Sequence, residues 1–191
     1  NIITEATKSG NVYLSGVFMQ AEIENRNGRK YRLDEMTSAV ADMNQQITEF
    51  GGVFGELDHP ETITINMDRI SHVITEIYMD GNNVMGKAKL LNTPMGSIAK
   101  ELSLNSGARY GVSSRGAGVV TEGVVSGFNL VTIDLVVTPS APGAMPVSIT
   151  EAMEDAKLMT LAESVQHDPS AQKYFKDAIT RFVRDTINRG K

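Results

Sequence analysis

Cysteine is absent from the 191 residues, and that removes disulfides, thiolate metal sites, iron–sulfur clusters and a thiol nucleophile together. Tryptophan is absent too, and only 6% of the residues are aromatic. No run of about 18 apolar residues occurs, which excludes a transmembrane helix, and no charged-then-apolar leader opens the chain. The chain starts at Asn1 rather than Met, the expected look of a fragment or a processed form. Basic residues are outnumbered, 18 Lys and Arg against 23 Asp and Glu, for a net charge of −5 and a pI near 5.2. With no basic cluster, that balance argues against nucleic acid as a partner. What remains is the composition of a soluble domain, 41% hydrophobic and 21% charged, long enough for one core plus an appendage.

Apolar patterning divides the chain into elements. Val12–Glu24 alternates loosely and reads as a strand, followed by turn chemistry at Asn25-Arg26-Asn27-Gly28. Met36, Val40, Met43 and Ile47 recur at helical spacing from Asp34 to Phe50, with Gly51-Gly52 as the stop. Val53–His59 reads as a short strand halted by Pro60. Ile70–Met79 and Val84–Leu91 form a hairpin through Asp80-Gly81-Asn82-Asn83. Thr93-Pro94 opens a second helix that runs toward Gly107. Phe128–Val137 is a strand, and Pro139–Pro146 is either a linker or an ordered Pro-rich turn. Two helices, 152–166 and 170–188, are expected beyond it. These elements predict an α+β fold on a mostly antiparallel, partly closed sheet. The expected domains are an N-terminal segment 1–11, a body 12–146 and a helical tail 147–191 that packs on its own domain or on a partner.

With three histidines the search for a general base is short. His72 lies inside an apolar strand and reads as structural, and His167 belongs to the turn before Pro169. His59 ends a strand in Gly55-Glu56-Leu57-Asp58-His59-Pro60, where a side chain is held rigidly yet open to substrate. In Gly111-Val112-Ser113-Ser114-Arg115-Gly116 the glycines allow close backbone approach and leave main-chain N–H groups free to bind an oxyanion, those of Ser114, Arg115 and Gly116 or others in the Pro139–Gly143 loop; taken alone, the motif is also compatible with a Ser/Gly-rich turn. Asp134 lies among apolar neighbours, where an ionised carboxylate needs a partner: a histidine that it orients, or nearby backbone and Ser groups. A metal site from His59, Asp58, Glu56 and Glu61 is disfavoured, because alternation throws Glu56 and Asp58 away from His59 and no second histidine is near. Neither metal nor cofactor is expected.

Together, Gly55–Pro60, Gly111–Gly116 and Val131–Asp134 followed by Pro139-Ser140-Ala141-Pro142, with the stretch Gly16–Glu22, resemble the T-even-type prohead core proteases from about Val12 to Ala144. The resemblance implies a herpesvirus-protease-like, antiparallel β-barrel-like core with surrounding helices. It implies a serine endopeptidase with His59 as base, Ser113 as nucleophile (Ser114 being the alternative) and Asp134 as third member. It further implies action on phage scaffold and capsid proteins inside the prohead in the host cytoplasm, with cleavage after Glu in (Ile/Leu)-x-Glu. A non-enzymatic phage structural protein on the same fold is the rival reading. A homo-oligomeric ring would suit an enzyme enclosed in a capsid, and no membrane is involved.

Ile-Thr-Glu occurs four times, at 3–5, 47–49, 74–76 and 149–151, and only the first and last are followed by Ala, at Ala6 and Ala152. Both are expected outside the core, making Glu5–Ala6 and Glu151–Ala152 candidate self-cleavage sites, with Leu161-Ala162-Glu163-Ser164 a further one. Arg115 and Arg109, then Lys87 and Lys89, are the candidate readers of the substrate glutamate.

Overall fold

The computed structural model describes residues 2–6, 11–107 and 109–148. Ten-odd short segments there sort into two sheets and two helices. The first sheet has six strands: β1 (Ile2–Ala6), β2 (Val12–Gln20), β4 (Val53–Glu56), β5 (Ile70–Asp80), β6 (Asn83–Leu90) and β9 (Pro146–Ser148). Their order is β4-β5-β6-β2-β1-β9, and only the β1–β9 pair is parallel. The second sheet, β3 (Lys30–Tyr31), β8 (Val124–Val136) and β7 (Gly111–Thr121), has β8 in the middle. The fold is α+β and mostly antiparallel, as the patterning predicts. The barrel-like closure does not appear among the described residues: the larger sheet ends on β4 and β9. The helical tail lies outside the described residues.

Strict alternation explains the scaffold. In β6 the buried residues are every second one, Val84, Gly86, Ala88 and Leu90, the signature of a strand with one face on a core. Helix α1 (Leu33–Phe50) buries Met36, Ala39, Val40 and Met43, one stripe at helical spacing, and packs on β5 and β8. It stops where Gly51 turns left-handed, φ 79°, and returns its N–H to the Ile47 carbonyl. Helix α2 (Pro94–Leu104) starts as expected, with Thr93 Oγ1 accepting the Gly96 N–H at 3.0 Å. It ends at Leu104 with Asn105 as its C-cap, short of Gly107, and the Asn105 N–H makes the last helical bond to the Glu101 carbonyl.

Two expectations are corrected. Gly111–Gly116 is part of β7 rather than a turn: pairing with β8 along its length overrides the poor strand propensity of Gly and Ser. The first Ile-Thr-Glu-Ala is not an unpaired segment but lies in β1, where Glu5 and Ala6 pair with Tyr13 and Val12 of β2. The last copy lies outside the described residues. The Pro-rich segment is an ordered turn, with Ala144 buried, its N–H on the Ala141 carbonyl and its own carbonyl taking the Val112 N–H.

Candidate active site

The two sheets meet where β4 runs out against β8. Gly55 permits that meeting: a Cβ there would stand 2.3 Å from His72 Nε2 and 2.4 Å from the Ile133 carbonyl. Beyond it, Leu57 bridges to Leu135 in parallel and the Asp58 N–H donates to the Leu135 carbonyl. Asp58 has φ 69°, a left-handed conformation that Asp tolerates better than most residues, and its Oδ1 accepts the N–H of His59. This kink breaks the alternation assumed from the sequence and turns His59 back over β8.

There His59 Nδ1 lies 3.0 Å from Asp134 Oδ2; the imidazole is 39% exposed and the carboxylate fully buried. That contact leaves Nε2 unengaged by Asp134, and His59 and Ser113 both line a cleft of about 420 Å³. Ser113 is the direct cross-strand partner of Asp134, so the two side chains stand on one face. Ser113 Oγ is hydrogen-bonded to Ser140 Oγ at 3.1 Å. Ser114 also lines the cleft but pairs with Ile133, a core residue. Its backbone is the useful part. The Val112 N–H points away from β8 to the Ala144 carbonyl, and strand parity sends the Ser114 N–H the same way, whereas that of Arg115 turns toward β8.

Beneath the histidine is an ionic cluster that the sequence did not reveal. Arg115 is 4% exposed and packed against carboxylates and carbonyls, though its Nε makes no aligned hydrogen bond. Nη1 donates to the Thr62 and Thr64 carbonyls at 2.9 and 3.1 Å. Nη2 reaches Asp134 Oδ1 at 3.1 Å and Glu56 Oε1 at 3.2 Å, and Nε lies 2.9 Å from Asp134 Oδ2. Glu56, fully buried, is also held by the Asn66 N–H at 2.6 Å and by Arg69 Nε at 3.3 Å, while its own N–H donates to Asp134 Oδ1 at 3.0 Å. Asp134 Oδ1 is thus saturated by Arg115 and the Glu56 backbone. Oδ2 has close neighbours but no aligned hydrogen bond, and faces the imidazole. Two carboxylates and two guanidiniums balance, which is the condition for keeping such charges out of water.

The cluster corrects two readings. Glu56, set aside on alternation, is part of the assembly supporting Asp134. Asp58, like Glu56 and Glu61 part of the disfavoured metal-site reading, accepts the His59 N–H. The Arg115 side chain, a candidate glutamate reader, is buried against Glu56 and Asp134, and Arg109, Lys87 and Lys89 do not line the cleft. The parity of Ser113, Arg115 and Asp134 on adjoining strands was the signal that could have found Arg115. His72, next door, is structural: Nε2 contacts the Ile133 carbonyl and Nδ1 the Ser71 hydroxyl, both at 2.9 Å, which fits the neutral Nε2–H tautomer. Burial pushes its pKa down to about 4, against smaller upward pulls from the Ile133 carbonyl and Asp134.

A buried carboxylate behind a half-exposed imidazole, with a serine on the carboxylate's cross-strand position, is an arrangement suited to acyl transfer. Comparison with known proteins agrees. The family model described as prohead core protein serine protease matches residues 4–154. The prohead core protein protease of enterobacteria phage T4 is 36% identical over 173 residues, covering 81% of each chain. The solved structure of the bacteriophage T4 capsid assembly protease superposes with a TM-score of 0.63 at 30% identity, covering 73% of this chain and 92% of that one. On sequence, family model and fold alike, this chain belongs to the prohead core protein serine protease family.

Proposed function

We propose that this protein is a prohead maturation serine endopeptidase in which His59, Ser113 and Asp134 do the chemistry. The reading is carried by the 3.0 Å contact of His59 Nδ1 with Asp134 Oδ2, on a strand whose Asp134 stands directly opposite Ser113. His59 Nε2 takes the hydroxyl proton as Ser113 Oγ attacks the scissile carbonyl, and returns it to the leaving amine. Water then repeats the cycle on the acyl-enzyme, and the second proton returns to Ser113. Asp134 holds the imidazole in the Nδ1–H tautomer and stabilises the transient imidazolium. The N–H of Ser114, on the unpaired side of β7, is the oxyanion donor the backbone supports best.

Its substrates are scaffold and capsid proteins, cut after Glu in (Ile/Leu)-x-Glu, and it works as a homo-oligomer inside the prohead in the host cytoplasm. It also cuts itself at Glu5–Ala6 and Glu151–Ala152. The pairing of β1 with β2 means that the first cut requires β1 to peel away, since a protease binds its substrate as an extended, unpaired chain. A peptide containing Ile-Thr-Glu-Ala, incubated with the wild type and with Ser113→Ala, Ser114→Ala and His59→Ala proteins, tests this. Loss of roughly 10⁴-fold in rate for Ser113→Ala and His59→Ala, with Ser114→Ala retaining activity, is expected. Full activity in Ser113→Ala would overturn the assignment, and no cleavage by the wild type would favour a structural protein.

A further inference from the structure

The reading of a substrate glutamate needs a cation, and the buried cluster removes the nearest one. Arg115 is buried and neutralised by Glu56 and Asp134. Two other guanidinium groups line the cleft, those of Arg26 and Arg29. Both project from the turn Asn25–Arg29, and among the described residues neither is paired with a carboxylate. The turn is built firmly. Asn25 Oδ1 accepts the N–H groups of Asn27 and Arg29 at 2.9 and 3.0 Å, the Asn25 N–H meets the Arg29 carbonyl, and Gly28 supplies φ 69°.

It is also tied to the catalytic wall. The Arg26 N–H donates to the Ser140 carbonyl at 3.0 Å, and the Ser140 hydroxyl bonds Ser113 Oγ. Arg29 lies beside the Tyr31 hydroxyl, whose ring packs edge-on against Phe128 at 4.7 Å. Glu61 is the acidic side chain on the same cleft; it leaves a net positive lining once Arg115 is counted as balanced.

Resting on the cleavage specificity proposed above, we propose that Arg26 and Arg29 form the subsite that binds the substrate glutamate carboxylate. Two planar cations on a hydrogen-bonded turn offer a bidentate partner to a carboxylate, and the Arg26–Ser140–Ser113 chain fixes its distance from the nucleophile. A neutral isostere would bind the same groove without that partner.

Two peptides differing only in Ile-Thr-Glu-Ala against Ile-Thr-Gln-Ala read the subsite as a ratio of kcat/KM. The Glu-over-Gln preference is expected to fall at least tenfold in the Arg26→Gln/Arg29→Gln double variant. An Arg109→Gln variant, outside the cleft, should keep the wild-type ratio. A double variant that keeps it as well overturns the inference. A wild type that cuts both peptides equally overturns the glutamate specificity itself, and the subsite with it. Because the two peptides are compared on the same preparation, a partly misfolded variant does not mimic the effect.

Discussion

The β5–β6 hairpin and the β7–β8 hairpin use strands of similar length, 11 and 8 residues in one and 11 and 13 in the other, yet they bury different chemistry. The first buries apolar residues and a neutral pair, Ser71 and His72, satisfied by one another and by backbone carbonyls. The second buries Arg115 and Asp134 as ions, with Glu56 of β4 between them. Neutral groups need only hydrogen bonds, so a hairpin can supply them locally. Ions need counter-ions, and those come from four parts of the chain: β4, β7, β8 and Arg69 just before β5. The candidate active site therefore lies at the junction of the sheets, where residues distant in sequence can meet.

The sharpest way to break this contrast is to remove the cation. Arg115→Met leaves two buried carboxylates without their shared partner and is expected to cost about 3–5 kcal/mol, measured by urea denaturation. A cost no larger than that of Ser71→Ala in the other hairpin, about 1 kcal/mol, would show that the ionic cluster is not held as described. Next in size is the pH response of the neutral hairpin. His72 takes up a proton in the unfolded chain below about pH 6.5 but in the fold only near pH 4. Stability is therefore full above pH 6.5 and declines as pH falls toward 4, by about 3 kcal/mol for this one group. The decline should be shallower by about one proton in His72→Gln, read from denaturation midpoints at pH 7, 5.5 and 4. If the two proteins show equal slopes, His72 is not the buried neutral group.

Smaller still is Thr93→Ala, which removes the α2 cap that also ties the helix to β5 through the Ile70 carbonyl. A loss of about 1 kcal/mol is expected in thermal unfolding, with no change in cleavage rate. Last, Val119→Thr at the exposed end of β7 should shift stability by less than about 0.5 kcal/mol. A larger effect would mean that this end of the second hairpin is covered.

The two hairpins also differ in how far the sequence could be read. Strand β6 shows its buried face residue by residue, and α1 its stripe from Met36 to Met43, because apolar periodicity is a local property. His59, Ser113 and Asp134 were legible as residue types in short motifs, and β8 as an alternating strand. The β7 strand was not, since its glycines and serines carry weak local preference and its form is imposed by β8. Nor was the kink at Asp58, which reverses the parity after Glu56 and hid the contribution of Glu56. The partners of Arg115 stand 19, 51, 53 and 78 positions from it or from one another. No window on the sequence spans those separations, so the arginine looked free to meet substrate.

The position of β1 has its own consequence. It lies between β2 and β9, and three of its four registered pairs with β2 precede the Glu5–Ala6 bond. A chain cut there loses the strand that covers Tyr13–Ser15, and an inner strand becomes an open border with unused N–H and C=O groups. Such borders recruit other strands. Trimming five residues would thus do more than shorten the molecule: it would give the enzyme a new adhesive side, facing whatever protein is packed beside it.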